Sequence, residues 1–240
     1  MRHSILAAAV LTALASVPAF ASPIPGLYNT GVDNSGNLLA VGASDMHYAF
    51  NVLSGTAPGT NGYGVVANPT LYPMSQNDWV PNTSVSQWVT PNANQPTEDP
   101  VANGYYTWTL TFDLNGKVNP NSASFAAQWA ADNVGYATLN GNLINGSYTG
   151  TGTQAFGTWH DFSANSGFQS GLNTLTFFVE NLAQSSSNPT GLQVDFTSSS
   201  ITPTPIPGAA LLFISAAIAG GLVFGRKRKD AQGFMGAMAA

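Results

Sequence analysis

The sequence predicts an all-β protein, an antiparallel β-sandwich, and three observations carry that expectation. Four segments of the central chain alternate apolar and polar residues with period two, the signature of strands with one buried face. Turn signals separate them, among them Leu114-Asn115-Gly116, Leu139-Asn140-Gly141 and Asn188-Pro189-Thr190-Gly191. Charged residues make up 7% of the chain, against roughly 25% in an ordinary soluble domain. Asn, Ser, Thr, Gln and Gly supply the polar balance, a mixture that suits strands joined by turns. Half-buried strands without helical crossovers need a second sheet over their apolar faces, and that arrangement is a sandwich.

The first element, residues 1–21, reads "MRHSILAAAVLTALASVPAFA". Arg2 is a short positive region, residues 5–17 are apolar, and Ala19-Phe20-Ala21 is a small-x-small cleavage site. Together these predict a secretory signal peptide cut after Ala21. An N-terminal segment, 22–43, leads into the sandwich domain expected over 44–197. Its first strand is expected around Met46 to Leu53. Residues 54–105, rich in Pro and Gly, read more as loop than strand and carry Trp79 and Trp88.

In "TWTLTFDL" the residues Trp108, Leu110, Phe112 and Leu114 share one face. In "SFAAQWAAD" the buried set is Phe125, Ala127 and Trp129. "NTLTFFVEN" turns Leu175, Phe177 and Val179 inward, and "GLQVDFT" does the same with Leu192, Val194 and Phe196. Beyond them "TSSSITPTP" predicts a flexible-to-extended stalk, assigned to 198–204.

Residues 208–225 hold no ionisable group and would span about 27 Å as a helix, just enough to cross a bilayer. Arg226, Lys227, Arg228 and Lys229 follow at once. Such a cluster stops transfer and stays cytoplasmic. Pro205 and Pro207 break any helix on the outer side, and a short tail, 230–240, ends the chain. The expectation is a body exported through the inner membrane and held, transiently or permanently, by its C-terminus.

Pro205-Ile206-Pro207, the short apolar helix rich in Ala, Gly and Leu, and the Arg/Lys cluster resemble the PEP-CTERM sorting signal of Gram-negative bacteria, in a Pro-x-Pro variant. The resemblance covers residues 205–229. It implies recognition and cleavage by an integral-membrane exosortase, with a final location at the cell surface or outside the cell. In the body, "SDMHYAFNV", "SVSQWVTP", "YYTWTLTFDL", "FAAQWAADNVGYATLNGN", "SGFQSGLNTLTFFVEN" and "NPTGLQVDF" resemble, in that order, a galactose-binding-like jelly-roll module. That resemblance implies a jelly-roll sandwich and a carbohydrate ligand such as exopolysaccharide.

The remaining function classes narrow by chemistry. The body carries Lys117 as its single Lys or Arg, so it repels phosphate backbones and no nucleic-acid partner is expected. There is no cysteine, which removes thiolate nucleophiles and thiolate metal sites. His47 and His160 are the bases available to a serine nucleophile, and no Gly-x-Ser-x-Gly elbow accompanies them. Glu98, Asp99, Asp132, Asp161 and Glu180 lie mostly at turns or strand ends. A catalytic role is therefore not expected.

Sugar binding needs an aromatic plate and fixed polar groups. Trp159 and Trp88 are the candidate plates, and Asp132 and Asn133 the candidate polar groups. Asp132, Asn133 and Glu180 are also hard oxygen ligands suited to a structural calcium ion; no other metal or cofactor is expected. Two alternatives stay open: a structural or adhesive surface protein without a sugar ligand, and a carbohydrate-active enzyme.

Overall fold

A computed structural model describes residues 20–58, 62–114, 118–150 and 154–203 of the chain. Among the described residues there are ten strands, three short 3-10 turns and no α-helix. The strands are β1 (Ser44–Ser54), β2 (Tyr63–Val66), β3 (Val89–Thr90), β4 (Gly104–Asp113), β5 (Ser124–Asp132), β6 (Val134–Leu139), β7 (Asn142–Leu143), β8 (His160–Ala164), β9 (Leu172–Asn181) and β10 (Gly191–Ser200). All pair antiparallel in one sheet of order β7-β6-β9-β4-β1-β2-β3-β10-β5-β8.

That sheet curls until its two halves face each other. Phe177 of β9 lies 5.2 Å from the Trp129 ring of β5 and 5.8 Å from Phe162 of β8, although these strands stand far apart in the strand order. The alternation read from the sequence dictates this closure. Trp108, Leu110 and Phe112 on β4, Phe125, Ala127 and Trp129 on β5, Leu175, Phe177 and Val179 on β9, and Leu192 and Val194 on β10 form one buried cluster. Stacking the two halves removes both apolar faces from water at once.

A second, smaller cluster joins Ala67, Trp79, Val80, Trp88 and Ala130. It exists because residues 67–90 fold back over the outer face of β5. The Pro- and Gly-rich run expected as loop therefore contributes β2, β3 and a buried layer. This second layer also explains why β5 loses its alternation at its end, where Trp129, Ala130, Ala131 and Asp132 are all buried.

The boundaries differ from those expected. The first strand spans Ser44–Ser54, longer than the Met46 to Leu53 core. The folded unit runs Phe20–Pro203, so 22–43 is part of the sandwich. Ser22 and Ile201 exchange backbone hydrogen bonds of 2.9 and 2.8 Å, and Thr30 bonds with Val194 of β10. The stalk expected over 198–204 is, through Pro203, the end of the sandwich. β10 continues to Ser200, Ile201 is fully buried, and Thr202 N–H donates to Ser122 Oγ at 2.9 Å. The Ser/Thr-rich composition signals exposure, but one buried isoleucine and a paired backbone override it.

Ala21 is exposed, one residue before the Ser22 bridge. Ala19, Pro205, Pro207, the helix over 208–225, Arg226, Lys227, Arg228 and Lys229 lie outside the described residues. Among the described residues, no helix is long and apolar enough to cross a membrane.

Candidate functional site

Two of the four residues expected to bind ligand meet at one loop end of the sandwich. Asp132 closes β5, and Asn133 follows it directly. Trp79 Nε1–H donates to Asp132 Oδ2 at 2.9 Å, while Asp132 Oδ1 has no hydrogen-bond partner. Burial pushes the Asp132 carboxyl up to about 8, against the lowering effect of the Trp79 hydrogen bond. Asn133 Oδ1 accepts from Leu182 N–H at 2.7 Å, which ties the end of β5 to the loop after β9. Both residues line a cavity of about 320 Å³ together with Tyr72, Asp78, Trp79, Phe156 and Asn188. The Tyr72 phenol is pushed up by burial and by the Asp78 and Asp132 charges.

Trp88 and Trp159 do not form an exposed platform. Trp88 is fully buried, donates Nε1–H to Val80 C=O at 2.8 Å and packs against Trp79 at a ring separation of 4.0 Å. Trp159 is half-buried and packs on the same cluster. Covering the outer face of β5 takes a large apolar area, and these rings supply it. Trp88 braces Trp79 from beneath the cleft, and Trp79 is the ring that reaches the cleft wall.

A second buried acid, Glu98, feels the Asp132 charge. Its carboxyl is pushed up to about 8, first by burial, then by the neighbouring charges of Asp99 and Asp132, and its Oε2 has no partner. Asp99 contrasts with both. It accepts from Tyr106 O–H at 2.7 Å, Asn181 Nδ2–H at 2.9 Å and Thr56 N–H at 2.8 Å.

A larger groove of about 470 Å³ opens on the outer face of β1, β4, β9 and β6. Period two puts every second residue of these strands outside, and here three of the outward places hold Tyr105, Tyr136 and Phe178. Tyr136 lies opposite Phe178, and their rings stack 4.8 Å apart at 11°. Tyr105 lies opposite Glu180. Glu180 Oε1 accepts from Tyr105 O–H at 2.9 Å and from Asn103 Nδ2–H at 2.7 Å. That hydrogen bond, then the Glu180 charge, raises the Tyr105 phenol. Tyr148 and Leu53 complete the walls. The tyrosines are 44% (Tyr105), 38% (Tyr136) and 55% (Tyr148) exposed, so their rings are open to a ligand. Gly135 lines the groove with its backbone, and the Cβ it lacks would point inward, colliding with the Phe178 carbonyl and approaching the core Trp129 ring to 2.9 Å.

Sequence reasoning missed this groove because it sought tryptophans in loops. The available signal was an aromatic in a place where the alternation calls for a polar residue, as at Phe178 beside Phe177 and Tyr105 beside Tyr106. The three candidate calcium ligands are divided between the sites: Asp132 and Asn133 line the cleft, and Glu180 lines the groove. Among the described residues, no three His, Cys, Asp or Glu side chains gather round a metal position. Of the candidate bases, His47 stacks on Tyr28 at 3.9 Å, and its Nε2 lies 2.9 Å from Asn34 Oδ1.

No family model and no curated protein sequence matches the chain. Among solved structures it is similar to a family 35 carbohydrate binding module from an environmental isolate, at 13% identity and a TM-score of 0.30, over 68% of this chain and 97% of that one. It is also similar to the β-glucosidase from Kluyveromyces marxianus in complex with glucose, at 12% identity and a TM-score of 0.29. That match covers 67% of this chain and 21% of the glucosidase, about a fifth of its length.

Proposed function

We propose that this is an exported, non-enzymatic glycan-binding protein of the cell surface or extracellular matrix, with exopolysaccharide as its ligand and the tyrosine groove as its binding face. The observation that carries the reading is the row of open rings, Tyr105, Tyr136 and Tyr148, beside the Glu180 and Asn103 pair. Sugar rings present apolar faces edged by hydroxyls. They suit an open aromatic wall whose neighbouring acceptors and amides are already held in place. The groove draws its lining from four neighbouring strands, which suits a chain in passage more than a single captured residue.

Its test is retention of the full chain, in detergent, on gels that contain the host's own matrix polysaccharide. Tyr136→Ala is expected to weaken retention about tenfold, the effect of losing one well-placed aromatic contact of ~1.4 kcal/mol. Equal mobility of wild type and variant with and without polysaccharide would favour the adhesive reading instead.

Export and sorting belong to the same proposal. The signal peptide is removed after Ala21, and an exosortase-type membrane enzyme acts at the region of Pro205 and Pro207 while Arg226, Lys227, Arg228 and Lys229 hold the cytoplasmic side. The mature mass and cell fraction, measured with and without the four cations, test this part. A mass equal to the unprocessed chain, found in the cytosol, would refute it.

A further inference from the structure

The loop-end cleft differs from the groove in charge. Of the eleven acids in the chain all but Asp230 fall within residues 20–203, and of the six Lys and Arg residues Lys117 alone does. The sandwich thus buries carboxyls with almost no internal cation to set against them. Most are satisfied by neutral donors: Asp45 accepts from Gly31 N–H at 2.7 Å and His47 N–H at 3.0 Å. Asp132 is not. It is 4% exposed, accepts from Trp79 alone through its side chain, leaves Oδ1 without a partner and lines an open cavity. A buried carboxyl left half-satisfied is costly unless something completes it.

We propose that this cleft holds a primary ammonium group, carried by an amino sugar residue of the bound glycan, against Asp132. The carrier's identity rests on the glycan-binding reading; the charge rests on the cleft alone. Asp78 supplies a second carboxyl on the wall, and Tyr72, Trp79 and Phe156 line the cavity with aromatic rings, a residue type that attracts cations. An anionic ligand meets two acids and no lining cation, and is repelled. A neutral hydroxyl pairs with the protonated Asp132 carboxyl but, unlike an ammonium group, gains nothing from the second acid or the rings. The cavity, about 320 Å³, sits at the small end of ligand pockets, near 300 Å³, and matches one ring rather than a chain.

Binding has a proton balance. Burial holds the Asp132 carboxyl up to about 8 in the free protein, so below that pH it is largely protonated. An arriving ammonium ion favours the carboxylate, and the acid proton leaves to buffer. Asp78, Tyr72, Glu98 and Asp99 are the other titratable groups acting on this site. Asp132 and Asp99 both act by charge on Glu98, which burial also raises.

Calorimetric titration of the full chain in detergent at pH 7 uses four probes: glucosamine, N-acetylglucosamine, glucose and putrescine. Two buffers of different ionisation enthalpy report the protons exchanged. The expected result is glucosamine binding with proton release, at least tenfold weaker in Asp132→Asn, unchanged in the groove variant Tyr136→Ala, and tighter than for either neutral sugar. Proton release by wild type stands as evidence even where Asp132→Asn fails to fold. Equal affinity for glucose and glucosamine, absence of proton release, or an unaffected Asp132→Asn overturns the site. Putrescine binding without glucosamine binding overturns the amino sugar as its occupant. Retention on a neutral polysaccharide lost only in groove variants leaves the glycan-binding reading standing whatever the cleft does.

Discussion

The groove and the cleft sit on one sandwich and are built on opposite terms. The groove is open, and its one acid, Glu180, has hydrogen-bonded partners before any ligand arrives. The cleft has an exposed rim, with Asp78 and Gln184, over buried Trp79 and Asp132, and Asp132 is left with an oxygen unmatched. An exposed aromatic wall costs the fold little, because single apolar rings at a surface are ordinary. A buried, half-satisfied carboxyl works against folding. The same scaffold therefore carries one site that is nearly neutral for stability and another that trades stability for charge.

The sharpest way to break this contrast is to remove the brace under the cleft. Trp88→Ala is expected to destabilise the unit by about 3–5 kcal/mol, the usual cost of emptying a fully buried tryptophan position. Denaturant unfolding measures it. Tyr148→Ala on the groove rim is expected to stay within about 0.5 kcal/mol of wild type in the same assay. Similar losses for the two would erase the distinction.

Acidity separates the regions next. Burial raises the Asp132 and Glu98 carboxyls to about 8 in the fold, while the unfolded chain titrates them in the usual carboxylate range. Between those values the native state holds protons that the unfolded state has released. Their contribution is therefore fully present at acid pH and is lost as pH rises towards 8, by up to about 1.4 kcal/mol per pH unit for each group. Melting temperature is expected to climb as pH falls from 9 to 5, and Asp132→Asn is expected to flatten that climb. Groove variants leave the slope alone. A melting temperature that rises with pH over this range contradicts the burial account.

A smaller effect tests the close backbone approach beneath the groove. Gly135→Ala places a methyl against the Phe178 carbonyl and the Trp129 ring, with an expected loss of about 1–3 kcal/mol from overpacking. Smaller than Gly135→Ala is Tyr105→Phe. It removes the phenol donor to Glu180 and is expected to change stability by about 0.5–1.5 kcal/mol or less, read again by denaturant unfolding. An effect of Tyr105→Phe exceeding that of Gly135→Ala would mean the outer hydrogen bonds, not the close backbone approach, shape the groove.

Strand existence was legible wherever one face meets the core and the other meets water. Trp108, Leu110 and Phe112 announced their face, as did Leu175, Phe177 and Val179, because the period-two code needs only local information. It failed where a second layer covers the outer face. Gln193 is buried although the alternation places it outside, since its amide Nε2–H donates to Ser86 C=O at 3.2 Å. Trp88 was misplaced for the same reason. Nothing in "SVSQWVTP" shows that residues 67–90 return over β5, because that contact is set by chain segments far apart in sequence. The joining of Ser22 to Ile201 was equally hidden, being a pairing between the two ends of the unit. Of the candidate cleft, Asp132 and Asn133 were singled out from their place after a strand tryptophan, and the structure puts both on its lining. The tyrosine groove was not, since its rings come from strands that become neighbours only after folding.

Retention of the full chain on its host's matrix polysaccharide, compared with a variant carrying Tyr105→Ala, Tyr136→Ala and Tyr148→Ala together, is the most direct measure of the glycan-binding claim. The account predicts strong retention by wild type and its loss in the triple variant, with the triple variant still unfolding in a cooperative transition. Free migration of folded wild type through the polysaccharide, or undiminished retention of the triple variant, would contradict it.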